Sequence, residues 1–161
     1  MYTSLFRRNK ELFTILKKTE NKVCLDFGSG SGTHAIALLE NNNTVDLLDI
    51  EGPLLNFAKK RIRKRGFSYK ECFNNSKELP KNNYDLVVCA DVLEHCFDPA
   101  LELSLIKESL KINGLLALEV SEMVKPSSGH FGRSIDIWNK QGKKILAEHF
   151  KLVKANLYQK N

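Results

Sequence analysis

Short apolar runs along the chain alternate with segments of helical spacing, and that alternation predicts the architecture. Val23, Cys24 and Leu25 lead into Asp26 as a buried strand. Thr44 to Asp49 reads as a second strand, Phe67 to Phe73 as a weak third, and Leu86 to Cys89 as the centre of a fourth. The fourth run is continuously apolar, as a parallel strand covered on both faces should be. Leu115 to Val120 makes the fifth. Between these lie three helices: Thr33 to Glu40, Leu54 to Arg65, and a segment opening at Asp98-Pro99 and ending at Gly114. Leu54, Leu55, Ala58 and Ile62 form the buried stripe of the second, and Leu101, Leu105 and Leu110 support the third.

The two ends are less regular. Leu5 to Lys18 is predicted as an amphipathic helix with Leu5, Leu12, Ile15 and Leu16 on one face. Ser134 to His149 carries Ile135, Trp138, Ile145 and Leu146 at helical spacing, with Gly142 as its weak point, and Lys151 to Tyr158 alternates as a single last strand. The whole predicts an α/β fold, a doubly wound, mostly parallel sheet of about six strands with helices on both faces. A ligand site is expected at the carboxyl ends of the strands. With one closing strand, one sheet edge would be unpaired, open to a second copy or a partner chain.

Composition refines this reading only slightly. At 161 residues the chain is expected to be a single domain, with an N-terminal helix over 1–20, a core over 21–121 and a substrate-side loop, helix and strand over 122–161. No apolar run approaches the roughly 20 residues that span a bilayer, and Met1 to Lys18 scatters basic residues among apolar ones, unlike a signal peptide. Cys24, Cys72, Cys89 and Cys96 form no C-x-x-C pair and read as small hydrophobes in a reducing, cytoplasmic setting, not as a metal site. A net charge of +6 pulls weakly toward anionic partners. Lys59, Lys60, Arg61, Arg63, Lys64 and Arg65 would either contact phosphates or form a solvated helix face, and the solvated face is the more ordinary outcome.

The chemistry is concentrated in VCLDFGSGSG. Gly28, Gly30 and Gly32 follow Asp26 at alternating positions, so a strand runs into a loop that a ligand can approach closely, and a helix opens at Thr33 with unpaired N–H groups. A dinucleotide fingerprint would need glycine at position 33, where Thr33 stands. Asp49 ends the second strand, where a carboxylate either accepts both hydroxyls of a ribose or caps the next helix. Asp91 to Glu94 has capping spacing.

In this order and spacing the sequence resembles the class I S-adenosylmethionine-dependent methyltransferases of small-molecule type, a Rossmann-like family. The resemblance rests on Leu25 to Gly32, Asp49, Glu78-Leu79-Pro80, Tyr84 to Val88, Asp91 to His95 with Asp98-Pro99, and Leu110 to Leu116. It implies that Asp26, Gly28, Ser29, Gly30, Gly32 and Thr33 hold the methionine part of the cofactor. It also implies that Asp49 binds the ribose, Ile50 packs on the adenine, and Ala90 and Asp91 sit near the sulfonium. The position that usually carries an acid for the adenine amino group falls at Asn75, which keeps an acceptor oxygen, with Ser76 flanking the ring. Tyr84 and Asn113-Gly114 depart mildly from the pattern.

A hydroxyl or amine acceptor can need a base, and His130, His95, Asp91 and Glu122 are the candidates. His95 belongs to the family pattern, where it is more often structural. His130 lies in the loop Lys125 to Arg133, where the family's substrate contacts often sit. The N-terminal helix either caps a sheet edge or brings Tyr2 or Phe6 over the cofactor. The expected function is methyl transfer to a small-molecule or sugar-like acceptor. Two alternatives are a cofactor-binding regulatory or partner-completed module without catalysis, and an RNA methyltransferase. No Asn/Asp-Pro-Pro-aromatic motif follows the fourth strand and no Pro-Cys nucleophile occurs, which argues against amino-methylating and cytosine-C5 DNA enzymes.

Overall fold

The computed structural model describes residues 10–120 and 132–161. Helix α1 covers residues 10–16, followed by β1 (Val23–Phe27), α2 (Thr33–Leu39), β2 (Thr44–Leu48), α3 (Pro53–Lys64) and β3 (Cys72–Phe73). Then come β4 (Tyr84–Ala90), α4 (Pro99–Ser109), β5 (Leu110–Glu119), α5 (Gly132–Ile137), α6 (Lys143–His149), β6 (Phe150–Lys154) and β7 (Leu157–Lys160). The strands form one seven-stranded sheet in the order β3-β2-β1-β4-β5-β7-β6. β1 to β5 are parallel, and β7 runs antiparallel to both β5 and β6.

The core lies in two layers because successive side chains of each buried strand point to opposite faces. Leu25, Phe27, Val87, Cys89, Leu103, Ile106, Trp138 and Phe150 pack on the face that α4 and α6 cover. Cys24, Val45, Leu47, Leu86 and Val88 pack on the other with Leu12, Leu16, Ile36, Leu38 and Ile62 from α1, α2 and α3. Leu12 and Leu16 are the wholly buried part of the predicted N-terminal stripe. Leu5, Tyr2 and Phe6 lie outside the described residues. In α3 the stripe is Leu55, Ala58 and Ile62, while Leu54 is 57% exposed, because it falls at the helix start beside the open ends of the strands. Leu101 is likewise exposed, and Ala100, Leu103 and Ile106 bury α4 instead.

The C-terminal reading needs correction. Lys151 to Tyr158 is not one strand: the chain turns at Ala155-Asn156, with Asn156 at φ 59°, and β7 returns to pair with both β6 and β5. The alternation ran unbroken through the turn because the hairpin is tight, and the asparagine was its only local mark. The expected lone last strand is therefore a hairpin, and the outer edge is β6, where Leu152 and Val153 are exposed. A second correction concerns Gly114, which does not end a helix. α4 stops at Ser109, and Gly114 lies in an irregularity of β5, where Leu110 pairs with Tyr84 and Leu115 with Leu86. Between them Asn113 takes φ 62°. The third strand shrinks to Cys72–Phe73. Gly142, the expected weak point of the last long helix, ends a π-helical turn, Trp138–Gly142, that joins α5 to α6. A side chain there would run into the Trp138 indole.

One buried polar link ties the sheet's interior. Tyr84, fully buried on β4, donates its hydroxyl to Asp46 Oδ2 at 2.9 Å, and Glu71 N–H donates to Asp46 Oδ1 at 3.0 Å. Tyr84→Phe leaves a buried carboxylate oxygen without its donor. Its expected cost is about 1–3 kcal/mol, read as a lower urea midpoint at unchanged slope; a shift too small to resolve would mean that water replaces the hydroxyl.

Candidate functional site

Chain order reverses between β1 and β4: β1 leads outward to β2 and β3, then the chain returns to the other side of β1. The loops leaving the carboxyl ends of these two strands diverge and leave a crevice. It is a cleft of about 260 Å³, bounded by Phe27 and Gly28, by Asp49 and Ile50, by Asn75 and Ser76, and by Val92 and Glu102.

The glycine loop is pinned to its neighbours. Gly28 and Ser29 N–H both donate to Leu48 O, at 2.8 and 3.0 Å. Gly28 holds φ 74°, and a Cβ there would run into both γ-methyl groups of Val92. Gly30 also has positive φ, 49°, but faces open space. Gly32, the residue before α2, packs on Ala58. Ser29 is buried, yet its Oγ has no hydrogen-bond partner among the described residues.

Asp26 ends up at the start of α2. Gly32 offers that helix no side-chain cap, and Asp26 Oδ2, reaching from β1, accepts the Ala35 N–H at 2.9 Å instead. His34 Nδ1 stands 3.8 Å from Oδ1. Burial pushes the Asp26 carboxyl above its usual range, and the nearby Asp49 adds to this, against His34 and the Ala35 N–H.

Asp49 lies across the mouth of the loop. Its Oδ2 accepts Gly30 N–H at 2.6 Å and its Oδ1 accepts Ile50 N–H at 2.8 Å, while Asn74 Nδ2 donates to Asp49 O at 2.9 Å. It ties the glycine loop to β2 and does not cap α3, which Gly52 precedes without a side-chain cap. Ile50 is 81% exposed at the lip of the cleft. Asn75 Oδ1 accepts Lys77 N–H at 3.1 Å and so caps the turn Ser76–Glu78.

On the β4 side, Ala90 ends the strand and Asp91 turns the chain at φ 54°, its N–H donating to Glu119 O at 3.0 Å. The expected cap from Asp91 is replaced by a short turn, Leu93–His95, that Val92 heads without a side-chain cap. His95 is exposed on it. Asp98 does cap its helix, accepting Leu101 N–H at 2.9 Å. His130 and Glu122 lie outside the described residues, and of the loop Lys125 to Arg133 only Gly132 and Arg133 are described, already within α5.

Two contributors were not singled out from the sequence. Arg61, read there only as one of six basic positions, donates to Ser31 O at 3.0 Å and Thr33 Oγ1 at 2.8 Å and braces the glycine loop from α3. Its spacing from Ile62 and Ala58 gave no hint, because the contact depends on how α3 crosses the loop. Glu102 enters the cleft wall from α4, and Ser76 hydrogen-bonds to it.

This donor set fits a nucleoside that carries an amino-acid arm. Ser29 Oγ has no partner among the described residues, Asp26 and Asp49 bring carboxyl oxygens as acceptors, Gly30 leaves room beside the loop, and Ile50 offers an open apolar face.

The chain resembles in fold a SAM-dependent methyltransferase from Aquifex aeolicus, at 16% identity and TM-score 0.69 over 94% of this chain and 86% of that one. It resembles an S-adenosylmethionine-dependent methyltransferase from Mesorhizobium loti at 21% identity and TM-score 0.56, over 66% and 49% of the two chains. It also resembles the [4+2]-cyclase SpnF at 19% identity and TM-score 0.69, over 91% and 58%. The chain spans about half the length of several matched structures. None of the curated proteins matches it in sequence. The model of the methyltransferase domain matches residues 18–156, from the end of α1 through the hairpin turn. With that span covering the glycine loop, Asp49 and nearly all of the sheet, the chain belongs to the class I S-adenosylmethionine-dependent methyltransferases.

Proposed function

We propose that the chain transfers a methyl group from S-adenosylmethionine to a small-molecule or sugar-like acceptor by in-line displacement. The observation that carries this reading is the cleft at the β1–β4 reversal, where Asp49 lies across the glycine loop beside the exposed Ile50. The cofactor supplies an activated methyl group on a sulfonium. The chain's own part is to bind and orient. Asp26 with Gly28, Ser29, Gly30, Gly32 and Thr33 holds the methionine arm, and Asp49 takes the ribose hydroxyls on the carboxylate lone pairs that Gly30 and Ile50 leave unused. Ile50 covers one face of the base, Asn75 and Ser76 meet its edge, and Ala90 and Asp91 stand near the reacting end. Such positioning contributes up to about 7–11 kcal/mol toward a displacement of this kind. Where the acceptor must lose a proton, His130 or His95 is the base.

Residues 1–161 act in this reading as one cytoplasmic methyltransferase domain, with 1–20, 21–121 and 122–161 as helix, cofactor core and substrate side. A second copy or a partner chain against β6, where Leu152 and Val153 are exposed, would complete the acceptor side; a single-copy mass during turnover would count against it. Nucleic acid is the less favoured acceptor, because the basic face of α3 is partly engaged within the chain. Arg61 holds the glycine loop, Arg65 pairs with Glu40 at 3.5 Å, and Arg63 lies over the Tyr69 ring. One observation supports a cofactor-binding chain without methyl transfer: the similar SpnF is named as a cyclase.

The test is calorimetric titration with S-adenosylmethionine, S-adenosylhomocysteine and NAD. Micromolar binding of the two sulfur compounds and none of NAD is expected, weakened at least tenfold or so by Asp49→Ala, the loss of one or two hydrogen bonds to a charged acceptor. Binding of NAD alone would sink the reading. Tight binding with no turnover on any acceptor would select the second.

A further inference from the structure

The assignment of the cleft leaves one carboxyl unused. Glu102 stands half-buried in the cleft wall, which Asn75, Ser76 and Cys96 also line. Burial raises its proton affinity, donation from the Ser76 hydroxyl opposes this, Asp98 adds to it, and Lys77 opposes it. A carboxyl so placed costs stability unless something uses it.

The asparagines at that end are each held by one bond to the backbone. Asn75 Oδ1 caps the turn through Lys77 N–H, and the Asn74 amide donates to Asp49 O. Asp49 lies across the glycine loop with each oxygen accepting a backbone N–H. Ser76 and Glu102 line the same cleft as Asp49 and Ile50, so a base whose ribose sat at Asp49 and whose face lay on Ile50 would present its far edge toward them. On that edge an amino group is a donor, whereas an oxo group is an acceptor. A carboxylate accepts and has nothing to donate.

We propose that Glu102, held by the Ser76 hydroxyl, is a specificity-determining residue that accepts the exocyclic amino group of the cofactor's base and turns away 6-oxo purines. This rests on the cleft being the cofactor site. The principle is that a site built to pair a substrate N–H discriminates against the analogue lacking it more strongly than an apolar pocket does.

The experiment compares S-adenosylhomocysteine with its 6-oxo analogue, S-inosylhomocysteine, by calorimetry on wild type, Glu102→Gln and Glu102→Asp, with thermal melts to confirm folding. Wild type should prefer the amino compound by about a hundredfold. Glu102→Gln should cut that ratio at least about tenfold, chiefly by strengthening the 6-oxo compound, because the new amide can donate to it. Glu102→Asp, which withdraws the carboxylate by one methylene, should cut the ratio too, and it decides the matter where Glu102→Gln does not fold. If Glu102 merely braces Ser76, both compounds weaken together and the ratio stands, which overturns the proposal alone. Wild type that binds neither compound overturns the cofactor reading and this proposal with it.

Discussion

Gly28→Ala should abolish measurable S-adenosylmethionine binding and destabilise the protein by about 2–5 kcal/mol. Two separate costs make up this figure. Gly28 holds φ 74°, a left-handed conformation that costs an L side chain about 1–2 kcal/mol. The added methyl also runs into both γ-methyl groups of Val92, and overpacking of this kind costs about 1–3 kcal/mol. Relief by backbone movement is not free, because Gly28 and the adjacent Ser29 are tied to Leu48 O, and the movement would carry the loop into the cleft. The two costs separate in a double-mutant cycle measured by urea denaturation. Gly28→Ala combined with Val92→Ala should recover the packing part and leave the backbone part, with a coupling of about 1–3 kcal/mol. Simple additivity would show that Val92 is not the obstacle. Gly30→Ala is the control, since Gly30 has positive φ but open space around it, and it should pay only the backbone part.

The contrast between these glycines shows which parts of the molecule could be read from the sequence. The G-x-G-x-G spacing after a strand announced a loop that approaches a ligand, and the order of strands and helices announced a parallel sheet, because both follow from local chain properties. That Gly28 must be glycine because of Val92, some sixty positions on, depends on β1 and β4 lying side by side and could not be read locally. The same holds for Arg61 and Glu102, which reach the site from helix faces that looked solvated or merely amphipathic. Asp49 was legible as a strand-end acid, but its bond to Gly30 N–H was not. The closing hairpin was missed for a different reason: a two-residue turn leaves the period-2 pattern almost intact, so only Asn156 marked it.

Asp26 carries the second large effect, and in Asp26→Asn stability and function should move in opposite directions. The side chain serves α2 by accepting Ala35 N–H at 2.9 Å, and the proposed function gives its charge to the ammonium group of the methionine arm. Asp26→Asn keeps an acceptor for Ala35 and removes the charge; Asp26→Ala removes both. Burial raises the folded-state pKa of Asp26 above the unfolded value of about 3.9. The folded state therefore binds more protons than the unfolded state between those two values. The stabilising difference is fully present below the unfolded pKa and is lost as pH rises through the folded one. At neutral pH Asp26→Asn should thus be at least as stable as wild type, and its urea midpoint should lack the wild-type fall with rising pH. Asp26→Ala should lose about 1–3 kcal/mol through the unpaired helix N–H. Both substitutions should weaken S-adenosylmethionine binding by about a hundredfold, as truncating one partner of a buried charge pair typically costs 2–5 kcal/mol. Wild-type affinity should itself fall as acid protonates Asp26, while Asp26→Asn shows no such dependence. An Asp26→Asn protein that is stable and binds at wild-type strength would confine Asp26 to holding the helix, and the methionine arm would then have to find its anionic partner elsewhere in the cleft.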